Sequence, residues 1–124
     1  MKKLIQTRIH QPPQRGNCFP TVIACFMDLE SAEDAIQIQE HFDDDEWPNI
    51  LMDWLIEKGW ELGSLRDHLS TDEHYLVTGT SPRNPDIKHV CIYQNGKLYH
   101  DPHPDQTGIL TEDYFEYLEK HESK

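Results

Sequence analysis

The chain has 124 residues, 23 of them acidic and 11 basic, for a formal net charge of −12. That length suits one domain spanning residues 1–124, large enough to fold around a single core without disulfide or metal staples. The charge repels phosphate backbones and anionic bilayers, so neither nucleic acid nor a membrane is expected as a partner.

Residues 1–15 read as an extended lead-in, with Leu4, Ile5 and Ile9 covering part of the core before Pro12-Pro13 forbids a helix. Lys2-Lys3 is not followed by the apolar core of a signal peptide. No stretch nears the roughly 18 apolar residues of a spanning helix. A first helix is expected from Cys18, with Asn17 as its N-cap, Pro20 in its first turn and Val22, Ile23, Phe26 and Leu29 as its buried stripe. Ser31 caps a short second helix through Gln39. Trp47 to Lys58 forms a third, with Ile50, Leu51, Trp54 and Leu55 facing inward and Gly59 in the left-handed position after it. The acidic run Glu30 to Glu46 reads as solvated surface.

After Gly59 the apolar period shortens to that of strands, at Trp60 to Leu65, His74 to Thr80, His89 to Tyr93 and Lys97 to Asp101. Asn95-Gly96 marks a hairpin between the last two. A final amphipathic helix is expected from Glu112 to Glu119, capped by Thr111. Helices first and strands afterwards make an α+β domain, with N-terminal helices packed on a C-terminal antiparallel sheet.

Three residues in this order carry chemistry. Cys18 opens a helix, His89 sits on a strand and Asp101 ends the next one. A nucleophilic thiol needs a helix N-terminus or an imidazolium to favour the thiolate, and the imidazole needs a carboxylate to orient it. Cys25, on the buried helical stripe, and Cys91, inside an apolar strand, read as core. The three cysteines give no paired framework and no C-x-x-C knuckle, so reduced thiols in a cytoplasmic protein are expected.

Hairpin register makes the triad testable. A two-residue Asn95-Gly96 loop pairs Gln94 with Lys97 and turns Asp101 to the face opposite His89. A three-residue Gln94-Asn95-Gly96 loop pairs Tyr93 with Lys97 and sets His89 across from Asp101. Function therefore predicts the three-residue loop. The backbone N–H of Cys18 is one oxyanion donor, and Gln6, Gln11 or Gln14 could add a side-chain donor. In the Gly79–Pro85 loop, Arg83 is placed to bind a substrate carboxylate or to neutralise part of the acidic field. Asn17 is placed beside it at the cleft.

The combination Leu4-Ile5-Gln6-Thr7, Gly16-Asn17-Cys18, Gly79-Thr80-Ser81-Pro82-Arg83, Lys88-His89-Val90 and Tyr99-His100-Asp101-Pro102-His103-Pro104 resembles a group of small bacterial and phage proteins of papain-like cysteine peptidase fold, akin to NlpC/P60 and double-glycine leader peptidases. The similarity runs from about residue 4 to residue 110. It implies a papain-like domain, Cys18, His89 and Asp101 as the triad, Gln6 at the oxyanion position, a peptide or protein substrate and no cofactor. Phe19-Pro20 departs from the small or polar residues usual after the nucleophile, which narrows the cleft or tilts the helix start.

The expected activity is hydrolysis of a peptide, isopeptide or side-chain amide bond through a thioester. A zinc site built from His89, His100, Asp101, His103 and Asp105 is the first rival. Two prolines stiffen that run, strand alternation sends His100 away from Asp101, and no His-Glu-x-x-His helix accompanies it, so no metal is expected. The second rival is a non-enzymatic binding module on the same fold, such as a phage-encoded inhibitor of a host protein.

Overall fold

The computed structural model describes residues 1–121. Helix α1 spans Cys18–Phe26 and helix α2 spans Trp47–Glu57. Five strands follow: β1 Trp60–Leu65, β2 His74–Thr80, β3 Lys88–Gln94, β4 Lys97–His100 and β5 Tyr114–Lys120. They form one antiparallel sheet in the order β1-β5-β2-β3-β4. The α+β class expected from the sequence therefore holds. No helix among the described residues is long and apolar enough to cross a membrane.

Helix α1 is hydrophobic nearly all round, with Val22, Ile23, Ala24 and Cys25 at 0 % exposure, because one side packs on the sheet and the other is covered by the segment from Ala32 to Ile38. Val90, Ile92, Leu76 and Leu118 meet it from the sheet. Helix α2 adds Leu51 and Leu55 to the same core and ends where Gly59 takes φ +81°. Tyr75, Val77, Cys91 and Tyr93 form a second cluster, as strand alternation requires.

Three expectations fail. The segment after Ser31 is two short 3₁₀ turns, Ala32–Asp34 and Ile38–His41, instead of a helix to Gln39. Ser31 does cap the first turn, but the Gln37 amide donates to the carbonyls of Ala32 and Ala35, which a continuing helix would have paired internally. The expected C-terminal helix is strand β5. The Thr111 hydroxyl accepts from Thr80 N at 2.9 Å instead of capping a helix, and Leu110 N and Asp113 N donate to Thr80 O and Thr78 O. Glycine at position 79 permits this: a Cβ there would stand 1.7 Å from Thr111 O. The strand also satisfies two neighbours at once, pairing Leu118 with Leu62 and Phe115 with Val77.

The third correction is the hairpin. Its loop has two residues, not three: Gln94 pairs with Lys97, and Asn95 and Gly96 take φ of 51° and 78°, the signature of a type I′ turn. Regular pairing from that turn would place Asp101 on the wrong face. A β-bulge prevents this, because Tyr93 pairs with Leu98 but Ile92 pairs with His100, leaving Tyr99 as the extra residue. Tyr99 packs against the His74 ring at 4.3 Å, with the Lys3 ammonium 4.4 Å from its centroid. The inserted residue reverses the facing of all that follows, and Asp101 returns to the side of His89.

Candidate active site

Strand β4 ends at His100, and the chain from Asp101 to Gly108 folds back over its own first side chain. The Asp101 carboxylate accepts backbone N–H bonds from His103 at 2.9 Å and from Gly108 at 2.7 Å. Gly108 takes φ +79°, a left-handed conformation that turns its N–H inward at little steric cost. The Gln106 amide ties the Asp101 and His103 carbonyls together. His100 points the other way and bonds Leu4 O at 2.6 Å, as alternation predicts.

His89 Nε2 lies 2.6 Å from Asp101 Oδ1, and both side chains are sealed from solvent, at 4 % and 0 % exposure. Burial opposes charge on the imidazole, but Asp101 and then the Cys18 and Cys91 thiols overcome it and lift its pKa to about 11. Burial likewise works against the carboxylate. The His89 ring and the two backbone N–H donors outweigh that and hold Asp101 below the usual aspartate range. The pair is thus an ion pair with its remaining acceptor sites filled.

Cys18 is the first residue of α1 and half-buried. Its neighbour Asn17 does not cap the helix with its side chain, which corrects the sequence expectation. Instead the fully buried Asn17 amide accepts from Thr7 N and Arg8 N and donates to Thr7 Oγ1, Glu33 and Gln37. It clamps the N-terminal segment to the start of the helix and stays out of the cleft. Thr21 N bonds Asn17 O and Pro20 has no N–H, which leaves the Cys18 and Phe19 N–H groups as the open donors of the first turn.

Cys18 and His89 share the wall of a cavity of about 620 Å³. Ile9, Phe19, Phe42, Ile87 and Val90 make much of its surface apolar. Gln6 also lines it, 8 % exposed, with Nε2 donating to Arg8 O at 2.9 Å and Oε1 without a partner. Gln11 and Gln14 bond one another's backbone away from this wall. Arg83 reaches the cavity, but its guanidinium is committed to Asp105 at 2.9 Å and to Thr107. Its charge is spent bracing the loop that carries Asp101.

Two further residues belong to the site: Cys91, which the sequence reads as core, and His103, which it offers only as a rival metal ligand. Cys91 reads as core and is buried, yet its thiol also bears on the His89 ring, and the two side chains group with Asp101. His103 stands 6.2 Å from His89 in an edge-to-face arrangement. Its Nδ1 lies 3.1 Å from Asp105 N and 3.0 Å from Asp105 Oδ1, and burial followed by the nearby Arg83 lowers its pKa. The i, i+2 spacing of His89 and Cys91 is the one available clue to the first. The short His100-Asp101-Pro102-His103 run is the clue to the second. Comparison of the chain with protein-family models, curated proteins and solved structures finds no match.

Proposed function

We propose that the protein is a thiol hydrolase of papain-like type, cleaving a peptide, isopeptide or side-chain amide bond through a Cys18-His89-Asp101 triad. The observation that carries this reading is the sealed His89–Asp101 pair, 2.6 Å long, whose imidazole lines the same cavity as Cys18 at the start of α1. An imidazolium held this way provides the proton a leaving amine needs, and a helix-start thiol provides the nucleophile.

In the first half-reaction Cys18 Sγ, as thiolate, attacks the carbonyl carbon. The C–N bond breaks, and His89 gives its proton to the departing nitrogen. In the second half His89 takes a proton from water, the hydroxide attacks the thioester, and Cys18 leaves as thiolate. Asp101 keeps the ring oriented throughout. The open N–H groups of the first turn of α1 supply oxyanion donors, and Gln6, which lines the same cavity, adds a side-chain N–H. The substrate's acyl portion rests on the apolar wall.

The test is reaction with an amide-directed thiol probe, mapped by peptide mass spectrometry. Cys18 should be the labelled thiol, and His89→Ala should slow labelling about a thousandfold. Preferential labelling of Cys25 or Cys91 would overturn the assignment.

A further inference from the structure

We infer that Cys91, His89 and Asp101 form a binding site for a thiophilic divalent cation of the zinc type, and that its occupancy switches off the thiol chemistry of Cys18. The second half of this inference rests on the hydrolase reading; the first half stands without it. One ligand atom from each of the three residues lies within 4.8 Å of the other two, and all three residues are buried. Sulfur, imidazole nitrogen and carboxylate oxygen together suit zinc better than magnesium or calcium, which prefer oxygen.

The fold supplies this set through two independent devices. Strand alternation puts His89 and Cys91 on one face of β3, and the bulge at Tyr99 brings Asp101 to them. One step beyond the Ile92–His100 pair, Asp101 falls level with Cys91. The outer shell is also in place, since the His103 and Gly108 N–H groups orient the carboxylate. In a tetrahedral zinc site, ligand atoms stand roughly 3.3 to 3.6 Å apart, given metal–ligand lengths of about 2.0 to 2.3 Å. The 2.6 Å His89–Asp101 contact therefore opens by under about 1 Å as the metal takes the place of the shared proton.

The step balances without oxidant or reductant. The cation binds, Cys91 loses its S–H proton, His89 loses its Nε2 proton, and both protons pass to solvent. A ring that ligates through Nε2 keeps its remaining proton on Nδ1. It can then neither take a proton from a thiol or water nor hold the charge that stabilises a thiolate. Water would complete the coordination as the fourth ligand.

Titration of the metal-free protein with Co²⁺, followed by Zn²⁺ competition, tests this directly. The wild type should bind one equivalent and show the near-ultraviolet sulfur-to-cobalt charge-transfer band, and Cys18→Ser should keep that band. Cys91→Val, which preserves an apolar core side chain, and Cys91→Ser should lose it, with Zn²⁺ affinity falling by about 100-fold or more. Melting curves of both variants without metal separate loss of ligand from loss of fold. In the wild type, Zn²⁺ should slow probe labelling of Cys18, and in Cys91→Val it should not.

Absence of binding in the wild type, or a band that survives both Cys91 substitutions, overturns the site. Cys18 labelling in the metal-free protein tests the hydrolase reading separately. A Cys91-dependent band without Cys18 labelling would keep the metal site and discard its regulatory role.

Discussion

The His89 and His68 imidazoles each bond a carboxylate, and of these two only His89 borders the cavity. His89 meets Asp101 at 2.6 Å, and His68 meets Glu112 at 2.8 Å. The second nitrogen of His68 is taken by the Tyr75 hydroxyl at 2.7 Å, which also receives Gly96 N. Its ring is walled in by Tyr93, stacked at 5.6 Å, and Phe115, edge-on at 4.8 Å. His68 is a closed network that fastens the Asp67–His68 loop and the β3–β4 turn to the sheet. The His89 ring instead has the Cys91 sulfur nearby and shares the cavity wall with Cys18. A histidine–carboxylate pair becomes a candidate for chemistry only when its remaining hydrogen-bonding capacity is turned toward a space a substrate can enter.

The sharpest break of this comparison is insertion of one alanine between His100 and Asp101. The added residue should fall level with Cys91 in place of Asp101, turn the carboxylate to the face opposite His89 and reduce Cys18 labelling to the level of His89→Ala, about a thousandfold down, while the His68 network persists. An insertion variant that labels normally would show that strand register does not place Asp101.

Next in size is Asp101→Ala, which leaves a buried imidazole without its partner and should cost about 3 kcal/mol in denaturant unfolding as well as activity. His68→Phe keeps the aromatic packing but strands one side of the Tyr75 hydroxyl. It should cost about 1 to 2 kcal/mol and leave the Cys18 labelling rate unchanged. Comparable labelling losses in the two variants would erase the distinction between the regions.

The His89–Asp101 pair also sets a pH window. Because the His89 pKa rises on folding to about 11, its contribution to stability is complete below about pH 6.5 and is lost as pH climbs toward 11. Because the Asp101 pKa falls on folding, its contribution is present above about pH 4 and is lost as acid protonates the carboxylate. Urea midpoints should form a plateau between about pH 4 and 6.5 and decline on either side, and Asp101→Asn should flatten both declines.

The smallest effect is expected from Arg83→Gln, which breaks a partly exposed ion pair and should cost less than about 1 kcal/mol. A rise in KM confined to carboxylate-bearing substrates would instead make Arg83 a substrate contact.

Much of this was legible in the sequence, and the failures share a cause. Helix α1, helix α2 and strands β1 to β4 follow from local period and turn residues, with bounds within a residue or so of expectation except that α1 ends at Phe26, short of Leu29. Strand β5 does not, because Tyr114 to Lys120 becomes a strand only between two distant partners that need pairing. The bulge was invisible for a related reason: the contacts of Tyr99 are with His74 and Lys3, and His100 bonds Leu4, all remote in sequence. The expected pairing of His89 with Asp101 is present, but by another backbone route than the sequence suggests. Asn17 was misread because a buried amide that serves five partners looks, in sequence, like an ordinary N-cap.

The position of β5 has a consequence for assembly. Strand β1 pairs with β5 and with no other strand, so the α2–β1 unit joins the sheet only through the segment from Tyr114 to Lys120. Those pairings close a loop of about fifty residues, a slow, late kind of contact. The hairpin that carries His89 and Asp101 closes through two residues and needs no such wait. Folding should therefore build the chemical half of the sheet first and seal it second, leaving a transient edge on β2 that β5 must reach before another chain does.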